Sequence, residues 1–217
     1  SCPSNITTNV TSACIASVVN PDPITSDNCS VTKLTWDLTG ATTANSSTSG
    51  VNYVGTRNFN LGTTTITYNA YDAAGNSATC SYDVTINDTT LPTITAPAAT
   101  TGTTNLGCTS TNVVLGTPTT ADNCSVASVT NNAPAVFPLG NTTVTWTVED
   151  GSGNIKTATQ LVTVTDNINP TISCPSNITT NVTSACIASV ATPNPTTADN
   201  CSVTKLTWAL TGVTTAN

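Results

Sequence analysis

Apolar and polar residues alternate with period two along much of the chain, which predicts strands rather than helices. The clearest case sets Ile66, Tyr68 and Ala70 against Thr65, Thr67 and Asn69. Downstream, Cys80, Tyr82, Val84 and Ile86 alternate with Ser81, Asp83 and Thr85. Between the runs lies Asp72-Ala-Ala-Gly-Asn76, a turn sequence that makes the pair a hairpin. Upstream, residues 5–10 and 14–19 read as two strands, and Asn20-Pro-Asp-Pro23 as a turn, since Pro cannot donate to a ladder. Residues 31–38 read as a strand with Leu34, Trp36 and Leu38 on one face. A Thr/Ser/Asn-rich loop over 40–50 follows, then a short strand over 51–54.

The pattern recurs. Ser1–Val18 returns letter for letter as Ser173–Val190, and residues 19–45 return as 191–217 with seven substitutions. A diverged copy lies between. Its hairpin sits 78 residues on: Ile66, Tyr68 and Ala70 become Val144, Trp146 and Val148, and the turn becomes Asp150-Gly-Ser-Gly-Asn154. Upstream the offset is 95, as Asp27-Asn-Cys29 against Asp122-Asn-Cys124 shows, so the first copy carries 17 extra residues between Trp36 and Phe59. That insertion reads as a longer surface loop or an extra edge hairpin ahead of a recognition loop. The expected organisation is a tandem array: a module over 1–90, a second over 91–170, and an incomplete copy of the first over 171–217. Both ends look like cuts from a longer polypeptide. The linkers, residues 87–94 and 165–172, hold Pro and β-branched residues and should be stiff.

Composition sharpens this picture. Roughly fifty residues are Thr, a β-former, and only 7% are charged, with no His and no Met. Regular alternation and spaced cysteines exclude a disordered Ser/Thr/Asn-rich chain. A net charge of −7 with four basic residues speaks against nucleic-acid or anionic-membrane partners. No apolar run approaches the ~20 residues that span a bilayer.

Nine cysteines are present, and the second copy lacks two of them together: Cys2 corresponds to Ala96 and Cys80 to Ala158. Joint loss of one pair and joint retention of the other suggest Cys2–Cys80, Cys14–Cys29, Cys108–Cys124 and Cys186–Cys201, leaving Cys174 without a partner. With no His and no Cys-x-x-Cys, disulfides are preferred to metal ligation, and they imply an oxidising, extracytoplasmic setting.

Cys2-Pro-Ser-Asn-Ile6, Asp27-Asn-Cys29, the Phe-x-Leu-Gly-x-Thr-Thr lead-in and Tyr71-Asp-Ala-Ala-Gly-Asn-Ser-Ala-Thr-Cys80 together resemble the hyalin-repeat (HYR) module. The resemblance covers essentially the whole chain. It implies an all-β fold of tandem immunoglobulin-like β-sandwiches forming an extended rod, in extracellular proteins associated with cell adhesion. The Thr/Asn-rich array also looks like giant surface adhesins of gliding bacteria of the SprB type.

The candidate chemistry is sparse. With no His, no Gly-x-Ser-x-Gly and carboxylates mostly at turns, the chain reads as no enzyme. Trp36, Trp146 and Trp208 fall on inward faces and read as core rather than as sugar platforms. Asp88-Thr89-Thr90 resembles a bacterial O-glycosylation pattern at Thr89, against the plainer reading of a linker. Calcium is a candidate at the junctions, where Asp88 would face Asp150 and Asp166 a later hairpin turn, with Asn87, Asn154 and Asn167 nearby. Asp27, Asp122 and Asp199 are further contributors. Asp72 and Asp150 have a plainer use, accepting N–H bonds within their own turns, and it ranks first. The functional reading is a structural spacer of a cell-surface adhesin or filament, for gliding or attachment. Its partners would be neighbouring repeats, a surface polysaccharide or further copies in a filament. The alternatives are a carbohydrate-binding array and a stalk on a secreted enzyme.

Overall fold

The computed structural model describes residues 1–11, 13–183 and 185–212. Among them the regular structure is all strand. The first repeat contributes β1 (Ile6–Asn9), β2 (Ile15–Val19), β3 (Val31–Gly40), β4 (Ala44–Asn45), β5 (Thr56–Asn60), β6 (Gly62–Asp72) and β7 (Ser77–Asn87). The second contributes β8 (Thr93–Thr95), β9 (Thr100–Thr103), β10 (Thr109–Ser110), β11 (Thr119–Ala121), β12 (Val126–Asn131), β13 (Phe137–Pro138), β14 (Gly140–Asp150) and β15 (Ile155–Thr165). The third contributes β16 (Thr171–Ser173) and β17 (Thr196–Ala198).

Five strands of the first repeat form one sheet in the order β1-β7-β6-β3-β4, and β2 pairs with β5 in a second. Thr and Asn on the polar positions keep the outer faces wet, and the alternate apolar residues turn inward. Ala16 and Val18 of β2 and Phe59 of β5 share one buried cluster with Leu34, Trp36, Leu38, Ile66, Tyr68, Tyr82, Val84 and Ile86 of the larger sheet. Two sheets over one core make the expected immunoglobulin-like sandwich. β1 runs parallel to β7, with Ile6 opposite Val84, so the first strand closes against the last. In the second repeat the strands pair in the order β12-β14-β15-β9, with β10 on β13, and β9 is again parallel to β15.

The chain clusters into two compact units, Ser1–Ala96 with Pro118–Asn131 and Trp146–Ala158, and Pro97–Thr117 with Asn132–Thr145 and Thr159–Asn217. The first unit also holds Trp146 and Val148 of β14, both buried. In the second, Phe137, Val144, Val162 and Val164 are buried.

Two local readings need correction. Residues 51–54 form no strand: Val51 makes a single bridge to Leu34, and Gly55 at φ +62° turns the chain before β5 begins. β5 itself, the partner of β2, was legible only as a lead-in to the hairpin. Trp208 is 74% exposed rather than inward, and Leu206 and Leu210 beside it are exposed too, with no hairpin packed against them among the described residues. The insertion is partly an edge strand: β4 pairs with β3, and Asn52 Nδ2 ties the loop to the Leu34 and Ser49 carbonyls.

A buried polar tie crosses each complete sandwich. The Tyr82 hydroxyl donates to Asn20 Oδ1 at 3.1 Å, and Asn20 Nδ2 reaches the Gly55 carbonyl at 2.8 Å. Gln160 takes the Tyr82 position in the second repeat. Its Nε2 donates to the Ala98 and Leu115 carbonyls at 2.9 and 2.8 Å, and Leu115 stands where Asn20 stood. Replacing Gln160 by Leu removes both of these part-buried hydrogen bonds, at about 0.5–1.5 kcal/mol each. Urea unfolding should therefore show Gln160→Leu lowering the midpoint of the second repeat, with Tyr82→Phe doing the same more mildly in the first. An unchanged midpoint in Gln160→Leu would contradict the role of the tie.

Candidate functional site

The chemistry of this chain gathers where one repeat meets the next. Each of the three Asp-Asn-Cys-Ser stretches folds into the same loop. Asp122 Oδ1 accepts the N–H groups of Cys124 and Ser125 at 2.8 and 3.0 Å, a local turn that Asp favours because its side chain can mimic a backbone acceptor. Asp27 does this for Cys29 and Ser30, and Asp199 for Cys201 and Ser202, at closely similar distances. The loop presents its cysteine at a fixed place relative to the carboxylate.

A second turn presents the other cysteine. The Thr11 N–H bonds the Ile15 carbonyl, and Cys14 sits in the left-handed region at φ +60°. A residue with a Cβ adopts that conformation only when its surroundings hold it there. Leu61 helps, donating its N–H to the Cys14 carbonyl. Cys186 repeats the geometry at φ +56°, with Thr183 bonding Ile187.

These two kinds of turn meet across the repeat boundary. Cys2 is joined to Cys80 within the first repeat. Cys14, however, is joined to Cys124 of the next repeat rather than to Cys29, with Cα atoms 4.9 Å apart. Cys108 is likewise joined to Cys201 rather than to Cys124, with Cα atoms 4.7 Å apart. Both separations fall in the range a disulfide spans. The expected intramodular pairs Cys14–Cys29, Cys108–Cys124 and Cys186–Cys201 are therefore replaced by pairs one repeat out of step. Cys29, Cys174 and Cys186 are free thiols on the surface.

The acids gather at the same place. A carboxylate oxygen of Asp88, one of Asp122 and Cys124 Sγ lie within 4.8 Å of one another, and Asp166, Asp199 and Cys201 repeat that cluster. Asp88 is only 7% exposed. Its Oδ1 accepts from Thr90 N–H and Asn123 Nδ2, while its main-chain carbonyl accepts from Asn154 Nδ2 at 3.1 Å. Asp150, the expected opposite number of Asp88, spends its carboxylate inside its own turn. Oδ1 accepts from Ser152 and Asn154 N–H, and Oδ2 from Asn154 Nδ2. Asp122 faces Asp88 instead. Asp166 accepts from Ile168 N–H, the Thr104 hydroxyl and Asn200 Nδ2. Thr89 is exposed in the linker next to the buried Asp88.

The turn carboxylates are held below the ordinary carboxylate range. For Asp72 the Asn76 amide is the main cause, helped by backbone N–H groups and opposed by burial. For Asp150 burial pushes upward, but the Asn154 amide and the N–H groups of Asn154, Ser152 and Gly153 outweigh it. For Asp166 the Ile168 N–H leads against burial, with Thr104 and Asn200 adding to it.

The HYR domain family profile matches residues 1–86 and 87–164. A protein named Hyalin from Strongylocentrotus purpuratus is 39% identical over 131 residues, covering 56% of this chain and 11% of the relative. A second Hyalin, from Lytechinus variegatus, is 37% identical over 153 residues, covering 65% of this chain and 29% of the relative. The chain thus spans less than a third of the length of either. Among solved structures, fibronectin(III)-like modules of Clostridium thermocellum CbhA align at 13% identity and TM-score 0.28, over 75% of this chain and 90% of theirs. Mouse Cadherin-23 EC22-24 aligns at 14% identity and TM-score 0.30, over 76% and 63%.

Depressed carboxylates bind fewer protons in the folded state than in the unfolded one, so they stabilise the fold above the ordinary carboxylate pKa. That contribution is lost as pH falls through the range below it. Thermal melts between pH 6 and pH 2 should show wild-type protein losing stability more steeply below about pH 4 than Asp72→Asn or Asp150→Asn protein. Parallel acid limbs would contradict the turn-capping role.

Proposed function

The chain belongs to the HYR domain family, and from that premise we propose that it is a repetitive structural spacer in an extracellular adhesin or filament, built to resist extension. The observation that carries this reading is the pair of disulfides that cross from each repeat to the next, Cys14–Cys124 and Cys108–Cys201. Disulfides persist in oxidising compartments outside the cytoplasm, which suits such a role. In the chain-entropy model each loop closed here restricts the unfolded chain by about 4–5 kcal/mol, a large share for sandwiches with single thin cores.

The three bridges overlap in sequence, 2 to 80, 14 to 124 and 108 to 201, so they form a continuous covalent ladder. Each repeat then has its neighbours in the same polypeptide as its partners. In the same register, Cys29 would receive the Cys14 counterpart of a module on its N-terminal side, and Cys186 would reach an Asp-Asn-Cys loop on its C-terminal side. Attachment or gliding at a cell surface is the setting in which a chain stiffened this way is useful.

Single-molecule stretching from handles at Ser1 and Gly212 tests the ladder. With every sandwich pulled open, the bridges leave roughly 40 residues of free contour, about 140 Å, whereas the reduced chain should reach about 700 Å. Intramodular pairs would leave roughly 100 residues, about 350 Å, so an oxidised chain reaching that length would overturn the ladder.

A further inference from the structure

Three buried oxygens at the first junction have no hydrogen-bond partner: Asp88 Oδ2, Asp122 Oδ2 and Asn123 Oδ1. Each belongs to a side chain that is already oriented through its other polar atom. Asp88 Oδ1 holds Thr90 N–H and Asn123 Nδ2, Asp122 Oδ1 holds the Cys124 and Ser125 N–H groups, and Asn123 Nδ2 points at Asp88. What is left over is a set of acceptors with no donor among them. Burying an acceptor without a partner is costly, and burying two carboxylates face to face adds their mutual repulsion. Asp88 is more than nine-tenths buried, so bulk water does not screen it.

We propose that this set binds a hard divalent cation, calcium, between Asp88, Asp122 and Asn123 at the boundary of the first and second repeats. Two carboxylate oxygens and an amide oxygen are the donors calcium prefers, and water completes its six to eight ligands. The nearby Cys124 sulfur does not make this a zinc site, because it is bonded to Cys14. The donor set recurs one repeat later. Asp199 Oδ1 caps its own loop, Asn200 Nδ2 points at Asp166, and Asn200 Oδ1 is again buried without a partner. In the first repeat the loop Asp27-Asn28-Cys29 makes the same internal bonds but is exposed, as a loop without a linker acid beside it should be. The ion would link an acid from the end of one module to two side chains from the next, at the same place as the disulfide. The site stands independently of the spacer reading.

Calorimetric titration of the full oxidised chain with calcium chloride, paired with thermal melts in calcium and in EDTA, tests the assignment. Wild-type protein should bind calcium and melt on the order of 5 °C or more higher at a hundredfold excess over its Kd. Asp88→Asn keeps the acceptor for Thr90 and removes one charge, so it should melt no lower than wild type in EDTA. It should also lose one calcium from the stoichiometry, as should Asp122→Asn, while Asp72→Asn keeps the full count. Identical wild-type melts in calcium and EDTA would overturn the proposal, as would full calcium binding by Asp88→Asn. A response to zinc after reduction, with none to calcium, would replace it with a thiolate site.

Discussion

The Asp-Asn-Cys loop is what the junctions depend on. One carboxylate oxygen of Asp122 holds two consecutive backbone N–H groups, and this fixes three things together: where Cys124 sits, which way Asn123 points, and which oxygen of Asp122 is left facing Asp88. A Ser or Thr in place of Asp could hold the same N–H groups, but it would offer neither the second oxygen nor the charge. The same bonds recur in all three copies, including the exposed one. The loop's internal bonds therefore come from its own local chemistry and need no neighbour docked on it.

The opposing turn is prepared in the same way. Cys14 and Cys186 both lie in the left-handed region, although only Cys14 is joined to another cysteine. The conformation thus comes from the turn, with its Thr11–Ile15 or Thr183–Ile187 bond, and not from the bridge. In the second repeat Gly107, at φ +58°, takes the place of Ala13 ahead of Cys108 and meets the same demand with the residue best suited to it. Two preformed turns, one at each end of a module, let the bridge form without reorganising either sandwich.

Period two made the hairpins legible, because β6 and β7, and β14 and β15, are long enough for alternation to repeat several times. Of the inward set read from sequence, Leu34, Trp36, Leu38, Ile66, Tyr68, Tyr82, Val84 and Ile86 are buried, Ala70 and Cys80 are partly buried, and Ala16, Val18 and Phe59 join the core from β2 and β5. Short strands such as β5 and β10 carry too few residues for a period to show. The cysteine pairing misled for a different reason. The second repeat keeps Cys108 and Cys124 whether they bond to each other or each to a neighbour, so coordinated loss identifies Cys2 with Cys80 but is silent on the register of the rest. Asp88 was recognisable as a junction acid. Its partner was not, because Asp150 is just as close to a boundary in sequence, and only the turn geometry shows its oxygens already in use.

The ladder also explains why the second repeat tolerates alanine at 96 and 158. A route through Cys2–Cys80 crosses the first repeat and continues along about 28 residues to Cys108. A route through Cys14–Cys124 runs along a similar total and arrives at the same cysteine. The intramodular bridge is therefore redundant for limiting extension wherever the intermodular ones are intact. What it adds is local: it clamps the lead-in of β1 to β7, the edge where a parallel strand would otherwise peel away first. In the second repeat the equivalent edge, β9 on β15, has Gln160 nearby, bonded to Ala98 and Leu115. A buried amide tie is weaker than a covalent one. It serves where the covalent path already runs through Cys108, whereas no amide could replace the bridges that cross from repeat to repeat.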